Sequence, residues 1–279
     1  MTLLSFEVSN FQSIDYMYLP IMRDGYTGTT VLIEPLSITA KDLFHAVFVS
    51  KMLISGYNID CTCLWCKNKV MNYYRPIIFK YIVAFNDSIY EYKIIIEHQT
   101  NKKEVLIFKD DKRYDRKVYS YLNKIVVLYP QHPYSCYVKL KKVNNILNNC
   151  GLGPIKLQTK SYKEGDLKIV NDSLWLDDEE VIFDHQSFLL SYNEECHGVK
   201  RLIDLLPLFF SDHIIFFYHF DEGLHPLLAK FIADICHAHQ HILHGTERSL
   251  NDNKSLYQSI FFYKDRVIEK NNERLILSL

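Results

Sequence analysis

The opening segment of the chain alternates apolar and polar positions with the period of two that is typical of β-strands. The alternation covers residues 4–8, breaks at a Ser-Asn turn at 9–10 and resumes at 16–18, which predicts a β-hairpin. Three further strand-like runs are separated by Asn- and Asp-containing turns, and they predict an antiparallel lobe over residues 77–85, 90–97 and 104–109.

Between the hairpin and this lobe the pattern changes. Residues 30–33 form a short run rich in β-branched residues, and residues 42–53 repeat their apolar positions near the helical period. The order is therefore a buried strand, a tight connection and a helix.

The remainder divides into two parts. Residues 110–165 are basic, polar and Asn-rich around one helix-like stretch at 138–147, which predicts a helical insertion or lid. Beyond it, helices and strands alternate as in an α/β sheet packed between helices. The helices are predicted at 198–209 and 224–236, and the strands at 213–219, 241–244 and 257–263. This gives an N-terminal half with the antiparallel lobe (1–109), the insertion (110–165) and a C-terminal half (166–279).

Composition narrows the class of protein. With 48% hydrophobic residues the chain can bury a core, and its 32 basic and 33 acidic residues create no overall field that would draw it to nucleic acid. The N-terminus lacks a basic start followed by a long apolar run, and no stretch approaches the roughly 18 apolar residues of a membrane helix. We expect a cytoplasmic protein with no membrane partner. Its seven cysteines, an odd number, are expected to be reduced thiols.

Three segments resemble, in order, parts of one family of ATPases. The opening SFEVSNFQSIDYMYLP resembles the first strand pair of RecF-like and OLD-like proteins, and residues 90–108 resemble the β-lobe that such proteins insert after the first helix. HGVKRLIDLLPLF followed by IIFFYHFDEGLHPLLAKFIADI resembles an ABC signature helix, a Walker B strand and a Leu-His-Pro loop. The resemblance implies an α/β, ABC-type, P-loop-like head of the SMC/RecF/OLD-like family.

The same resemblance implies a face that meets a second head. Cys196 stands in place of the signature serine, and the residues that match the family around it and in the following loop are Gly198, Lys200, Arg201, Asp221, Glu222, Gly223 and His225. We expect this face to be a protein interface, because charged residues have little reason to be buried within a monomer. His225 is expected to be structural.

The nucleotide-binding positions of the family are replaced. Aligned without gaps, its phosphate-wrapping glycines correspond to Glu34, Ser37 and Thr39, its phosphate lysine to Ala40, and its Mg²⁺-binding Ser/Thr to Lys41. A slip by one residue makes Lys41 the phosphate lysine, but it places the anionic Asp42 against the phosphates. Side chains at glycine positions also block the close approach of the backbone.

The Walker B segment is degenerate in the same way. Tyr218 and His219 occupy the places of the Mg²⁺-binding Asp and the catalytic Glu, on a strand expected to lie between strands 30–34 and 241–244. A competing register uses Asp221 and Glu222 as the acidic pair. The position of the family's switch histidine falls near Thr246. We therefore expect no catalytic residue, and neither bound ATP nor Mg²⁺.

Two further clusters could bind metal. Cys61, Cys63 and Cys66 could ligate Zn²⁺ if Cys136, Cys150 or a histidine supplied the fourth ligand, but free thiols are the favoured interpretation. Four histidines crowd a helix-to-strand connection, and they are expected to be solvated surface residues: His237, His239, His241 and His244.

Together these features predict an inactive head that acts as a binding or regulatory subunit. Its partner is expected to be a second copy, an active ATPase or an effector such as a nuclease, in a prokaryotic phage-defence or DNA-related complex. One alternative is an active ATPase with an unorthodox site formed by Lys41, Asp221 and Glu222. The other is a nucleic-acid-binding module that uses the basic insertion, including the run 109–117.

Overall fold

The structure is a computed structural model of the 279-residue chain. It describes residues 1–21, 29–33, 38–59, 75–85, 88–97, 103–108, 112–129, 135–235, 240–245, 258–263, 266–269 and 275–276. Glu34, Ser37 and the cysteine cluster at 61–66 lie outside the described residues, as do His237 and His239.

A five-stranded antiparallel sheet is built from the N-terminal strands in the order β2-β1-β4-β5-β6. Its strands are β1 (Thr2–Phe11), β2 (Ile14–Pro20), β4 (Ile77–Phe85), β5 (Ser88–Ile96) and β6 (Lys103–Phe108). The predicted hairpin and antiparallel lobe are both confirmed, and they form one continuous sheet because β1 pairs with β4.

The centre of the molecule is a mostly parallel sheet in the order β19-β18-β17-β3-β16-β15-β7. Its strands are β3 (Thr29–Ile33), β7 (Ile125–Leu128), β15 (Ile214–Phe217), β16 (His241–Gly245), β17 (Gln258–Tyr263), β18 (Arg266–Glu269) and β19 (Leu275–Ile276). All four residues of β15, Ile-Ile-Phe-Phe, are buried, as expected for a strand covered on both faces.

The position of β15 in this sheet differs from the prediction. It is an interior parallel strand, but its neighbours are β16 and β7, and β3 lies on the far side of β16. Because β7 belongs to the predicted insertion, sheet membership does not follow the boundary proposed at residue 109.

The helices and the small sheets complete the fold. The helices are α1 (Ile38–Ile54), α2 (Lys112–Leu122), α3 (Leu140–Asn149), α4 (His197–Asp204), α5 (Pro207–Phe210) and α6 (Pro226–Ile235). A four-stranded sheet contains β8 (Cys136–Lys139), β10 (Glu164–Val170), β11 (Ser173–Leu176) and β12 (Glu179–Glu180). A three-stranded sheet contains β9 (Lys156–Gln158), β13 (Ile182–Asp184) and β14 (Leu189–Leu190). The helix predicted at 198–209 is divided in two, because Pro207 begins a new helix.

Two apolar cores lie on opposite faces of the parallel sheet. Ile214 and Phe216 of β15 belong to the core shared with α1 and the five-stranded sheet. Ile215 and Phe217 belong to the core shared with α3, α4, α6 and the small sheets. Side chains that alternate along β15 therefore contribute to both cores.

Candidate functional site: the carboxyl edge of the parallel sheet

Aromatic residues follow the parallel strands where a nucleotide-binding head needs acidic groups. β15 ends at Phe217, and Tyr218 and His219 come directly after it. Tyr129 follows β7, and His244 is the penultimate residue of β16. The carboxyl ends of parallel strands meet at one edge, which is the usual ligand-binding edge of an open α/β sheet.

These residues form one cluster of rings. Tyr218 stacks on His244 with ring centroids 4.8 Å apart and planes inclined by only 7°, and its ring lies 5.8 Å from that of Tyr129. Phe44 of α1 approaches Tyr218 to 5.4 Å, and His219 approaches His244 to 4.6 Å. We call these five residues the aromatic cluster. Through Phe44 it joins α1 to the carboxyl edge of the sheet.

Burial and one hydrogen bond restrain residues of the aromatic cluster. His244 is 3% exposed, and its Nδ1 accepts a hydrogen bond of 3.4 Å from the backbone N–H of His219. Burial raises the pKa of the Tyr129 hydroxyl to about 12, so that the phenol is neutral at physiological pH.

The segment that corresponds to a P-loop has the predicted order of strand, connection and helix. β3 ends at Ile33 and α1 begins at Ile38, with Thr39, Ala40 and Lys41 in its first turn. Ala40 is fully buried, whereas Lys41 is exposed.

Asp42 has a structural role that its sequence position did not reveal. Its carboxylate accepts a hydrogen bond of 3.1 Å from the backbone N–H of Ser13 and a second from the Ser13 hydroxyl. One turn further along α1, His45 Nδ1 lies 3.1 Å from the side-chain oxygen of Gln12, which has a φ of +48°. The first turns of α1 therefore hold the β1–β2 turn in place.

The start of α4 occupies the position of the signature motif. Cys196 is its exposed N-cap residue, and a Cβ added at Gly198 would meet nothing within 4 Å. The buried carboxylate of Glu195 accepts a hydrogen bond of 3.1 Å from the Cys196 backbone N–H and pairs with Nε2 of His185. A negative charge at a helix N-terminus is favourable, so Glu195 stabilises the start of α4.

The prediction that the charged residues of this face are exposed is wrong for Arg201. It is only 4% exposed, and its guanidinium lies 5.1 Å from the ring centroid of Phe217. Its Nε donates to the carbonyl of Glu222 at 2.9 Å, and its Nη2 donates to the carbonyls of His219 and Phe220 at 3.0 and 3.1 Å. Arg201 therefore ties α4 to the loop that follows β15.

The environment of Arg201 lowers its pKa from the ordinary value, mainly because burial disfavours the charged form. The Asp204 carboxylate lies 3.8 Å from the guanidinium, and its negative charge acts in the opposite direction by raising the pKa of Arg201. Burial in turn raises the pKa of the Asp204 carboxyl above its ordinary value. A fork-shaped, always charged guanidinium suits this place, because it satisfies several buried carbonyls at once.

The loop after β15 contains both buried and exposed matches to the family. Asp221 is 7% exposed, which also contradicts the prediction of an exposed pair, whereas Glu222, Gly223 and His225 are exposed. Gly223 has a φ of +74°, and a Cβ there would lie 2.8 Å from Nε2 of His197. The positive φ therefore favours glycine at this position, and a larger residue would also displace the His197 ring.

Lys200 is half-buried and is used within the chain. Its Nζ donates to the carbonyl of Asn193 at 2.8 Å and lies 5.6 Å from the ring centroid of Tyr192. Both contacts hold the 3-10 turn Tyr192–Glu194 against α4.

Two of the histidines predicted to be solvated are buried. His241 is 1% exposed and His244 is 3% exposed, because β16 lies between β3 and β15 and is covered on both faces. Their spacing of three residues places them on opposite faces of the strand.

The described residues give no support to a metal site. Within them, no group of three or more His, Cys, Asp or Glu side chains is placed so that it could hold a metal ion. The proposed Zn²⁺ ligands Cys61, Cys63 and Cys66 lie outside the described residues, so that site stays a prediction. Burial raises the pKa of the Cys136 thiol to about 12. Within the described part of the chain, no helix is long and apolar enough to cross a membrane.

Comparison with solved structures identifies the fold. The chain is similar to the SMC head domain from Thermotoga maritima, with a TM-score of 0.55 and 9% identity over 96% of this chain and 99% of that one. It is also similar to an SMC head bound to the C-terminal winged-helix domain of ScpA, with a TM-score of 0.62 and 9% identity over 100% of this chain and 98% of that one. A RecF structure gives a TM-score of 0.47 at 9% identity, over 96% of this chain and 98% of that one.

These comparisons define a class of fold. The chain has the fold of an SMC-type ATPase head, which confirms the predicted ABC-type α/β head with an antiparallel lobe. No protein-family model matches the chain, and no curated protein matches it. The likeness at 9% identity extends to the fold alone.

Sequence reasoning missed three interactions of this site. It assigned neither the Arg201 hydrogen bonds nor the Asp42–Ser13 contact, and it did not single out His185 with Glu195. The spacing of 18 to 21 residues between Arg201 and the carbonyls that it binds carries no local signal, because they meet only when α4 packs against the loop after β15.

Proposed function

We propose that this chain is a nucleotide-independent ATPase-type head that serves as a binding or regulatory subunit. The observation that carries the proposal is the aromatic cluster at the carboxyl edge of the parallel sheet. Tyr218 and His219 stand where β15 ends, and both contact His244. Mg²⁺ requires oxygen ligands in near-octahedral geometry, and neither a stacked phenol ring nor an imidazole supplies them.

The contacts on the α1 side support the same proposal. Phosphate binding at a helix N-terminus needs free backbone N–H groups and a favourable charge. Ala40 occupies the lysine position of the ungapped alignment, and the Asp42 carboxylate is engaged with the β1–β2 turn. Lys41 is exposed in the first turn of α1.

The alternative active site requires Lys41 to act with Asp221 and Glu222. Tyr218 packs against the α1 side of the sheet. The backbone carbonyls at 219, 220 and 222 are instead bound by Arg201 of α4, on the side of the second core. This arrangement disfavours a joint site, because Arg201 binds the backbone of the loop that carries the acidic pair from the side of α4, whereas Lys41 lies on α1.

We propose a protein partner for the exposed part of the signature face. One structure with this fold is an SMC head bound to a domain of ScpA, so such a scaffold can carry a protein partner. Here the exposed residues Cys196, Glu222, Gly223 and His225 would form the contact. Arg201 and Asp221 would shape this face from within. The partner could be a second copy, an active ATPase or an effector nuclease, and the phage-defence or DNA-related setting rests on the resemblance alone.

Binding of a labelled ATP analogue tests nucleotide independence. We expect the wild-type protein and the Lys41→Ala variant to show the same background signal in the presence of Mg²⁺. An active ABC-type head measured alongside serves as the positive control. Saturable, Mg²⁺-dependent binding that Lys41→Ala abolishes would support the unorthodox ATPase instead.

A second function, nucleic-acid binding, is favoured by one observation. Residues 139–163 contain six lysines and no acidic residue, and Lys141 on α3 is exposed. Salt-dependent binding to duplex DNA that weakens in a Lys141→Glu variant would support this function. No binding at low salt would exclude it.

A further inference from the structure

A crevice lies between the four-stranded sheet and the helices α4 and α5. Its apolar lining comes from β8, β10 and β11 and from both helices: Cys136, Leu167, Ile169, Leu174, Ile203 and Pro207. A single carboxylate, that of Asp204 at the end of α4, lines the same crevice. Apolar side chains around one charged group are typical of a site that orients a ligand.

Lys168 also borders the crevice, but its side chain points to the other face of the sheet. On β10 it stands between Leu167 and Ile169, and it is the register partner of Trp175 on β11. Successive side chains of a strand point to opposite faces, so a strand that turns Leu167 and Ile169 towards the crevice turns Lys168 away. Within the described part of the chain, Lys168 forms no ion pair with Asp204.

The Asp204 carboxylate is poorly satisfied by the chain itself. Its ion pair with the Arg201 guanidinium spans 3.8 Å, its side chain is 25% exposed, and no described residue donates a hydrogen bond to it. Burial raises the pKa of this carboxyl group, although the charges of Arg201 and His197 act in the opposite direction. A carboxylate that is largely removed from water needs a close positive donor. The chain supplies one only at 3.8 Å.

Other carboxylates lie near the crevice in space. Burial raises the pKa of the Cys136 thiol to about 12, and the negative charge of Asp166 adds to this shift. Burial likewise raises the pKa of the Tyr192 hydroxyl, and the charges of Asp204 and Asp172 add to it. Each of these carboxylates is therefore close enough to act on a group at or beside the crevice.

The basic side chains on this side of the molecule are used elsewhere. Arg201 donates to three backbone carbonyls of the loop after β15, and Lys200 donates to the carbonyl of Asn193. His197 is exposed, with its Nε2 beside Gly223. None of these three basic residues lines the crevice. A cation that enters it can therefore reach Asp204 without displacing a group of the chain.

The size of the crevice restricts the kind of cation. Its enclosed space measures about 10 Å³, which holds one water-sized group. A lysine ammonium is a compact charge of that size, whereas the guanidinium of arginine is a larger planar fork.

We propose that this crevice binds the primary ammonium group of a lysine side chain from a protein partner, with Asp204 as the counter-ion. The aliphatic stem of that lysine packs on the apolar lining, as lysine stems commonly do. The inference rests on the proposed function as a protein-binding head, and it names one anchoring group of the partner.

NMR of the full chain, isotopically labelled at the backbone amides and the aspartate carboxyl carbons, tests the inference. The probes are N-acetyl-lysine methylamide, the same derivative of arginine, n-butylammonium and neutral butanol. We expect the lysine derivative and n-butylammonium to shift the amide signals of the crevice residues, with about millimolar affinity for a single side chain. Both should lower the pKa of Asp204, because a bound cation favours the ionised carboxylate. The arginine derivative and butanol should change neither.

Three variants assign the binding to the crevice. Asp204→Asn is expected to weaken binding of the lysine derivative about tenfold, because a hydrogen bond between charged groups is lost. Ile169→Phe keeps Asp204 but fills the crevice, and it should weaken binding to a similar extent. Asp212→Asn removes a carboxylate that is 71% exposed beside Lys124, and as the matched control it should bind as the wild type does. The melting temperature of each variant verifies that it is folded.

The opposite results are equally clear. Unchanged signals with both amines would show that the crevice holds only water and would overturn the inference. Equal binding of the arginine derivative or of butanol, or full affinity in folded Asp204→Asn, would refute the ammonium and its counter-ion. Binding of n-butylammonium without the lysine derivative would assign the crevice to a free amine and refute the protein partner. None of these readouts involves nucleotide, so a failure here leaves the nucleotide-independent head tested separately by the ATP analogue.

Discussion

Replacing Arg201 tests the contact that joins α4 to the loop after β15. In an Arg201→Met variant the three backbone carbonyls at 219, 220 and 222 lose their donor, while an apolar chain still covers Phe217. An unsatisfied buried polar group costs about 1–3 kcal/mol. Part of this is offset, because the folded state no longer holds a desolvated guanidinium. We expect a net loss of about 3 kcal/mol in the free energy of unfolding.

Equilibrium unfolding in urea, followed by circular dichroism, measures this loss. At this chain length about 3 kcal/mol corresponds to a decrease of roughly 6 °C in the melting temperature. Arg201→Lys keeps the charge but not the planar fork, and it should recover only part of the loss.

Lys200→Met is the matched control on the same helix. Lys200 makes one hydrogen bond, to the carbonyl of Asn193, and is half-exposed. We expect this variant to lose less than about 1 kcal/mol. The account of the loop would be refuted if Arg201→Met and Lys200→Met lost equal amounts.

Three further predictions concern the same region. Tyr218→Ala removes the centre of the aromatic cluster and should cost about 2–3 kcal/mol in urea unfolding, whereas Tyr119→Ala, at a residue 42% exposed, should change little. Gly223→Ala introduces a Cβ at a φ of +74° against His197 and should lower stability by about 1–2 kcal/mol, and an unchanged melting curve would contradict that strain. At pH 8 iodoacetamide should alkylate the exposed Cys196 much faster than Cys136. Burial raises the pKa of the Cys136 thiol to about 12, so that this thiol stays protonated and unreactive. Equal alkylation rates measured by peptide mass spectrometry would contradict this prediction.

The sequence predicted those elements whose cause is local. Alternation along residues 4–8 and 77–96 identifies strands, because the side-chain period of a strand is two and one face is buried. The apolar run of β15 likewise identifies a strand covered on both faces. These signals, with the family resemblance, were sufficient for the fold.

Long-range pairing carries no such signal. β7 joins the central sheet beside β15 although 85 residues separate Leu128 from Ile214, and its surroundings suggested an insertion. His241 and His244 looked solvated because histidine is polar, but they lie in an interior strand. The same limitation applies to Arg201, whose carbonyl partners are defined only by tertiary packing.

The most direct test of nucleotide independence is a crystal structure of the protein grown with a non-hydrolysable ATP analogue and Mg²⁺. We predict that Tyr218 remains stacked on His244 beside Phe44, with no nucleotide density between α1 and the sheet edge. Phosphate and Mg²⁺ density at the first turn of α1, contacting Lys41 and displacing Tyr218 from His244, would contradict the proposal and assign the chain to the active ATPases.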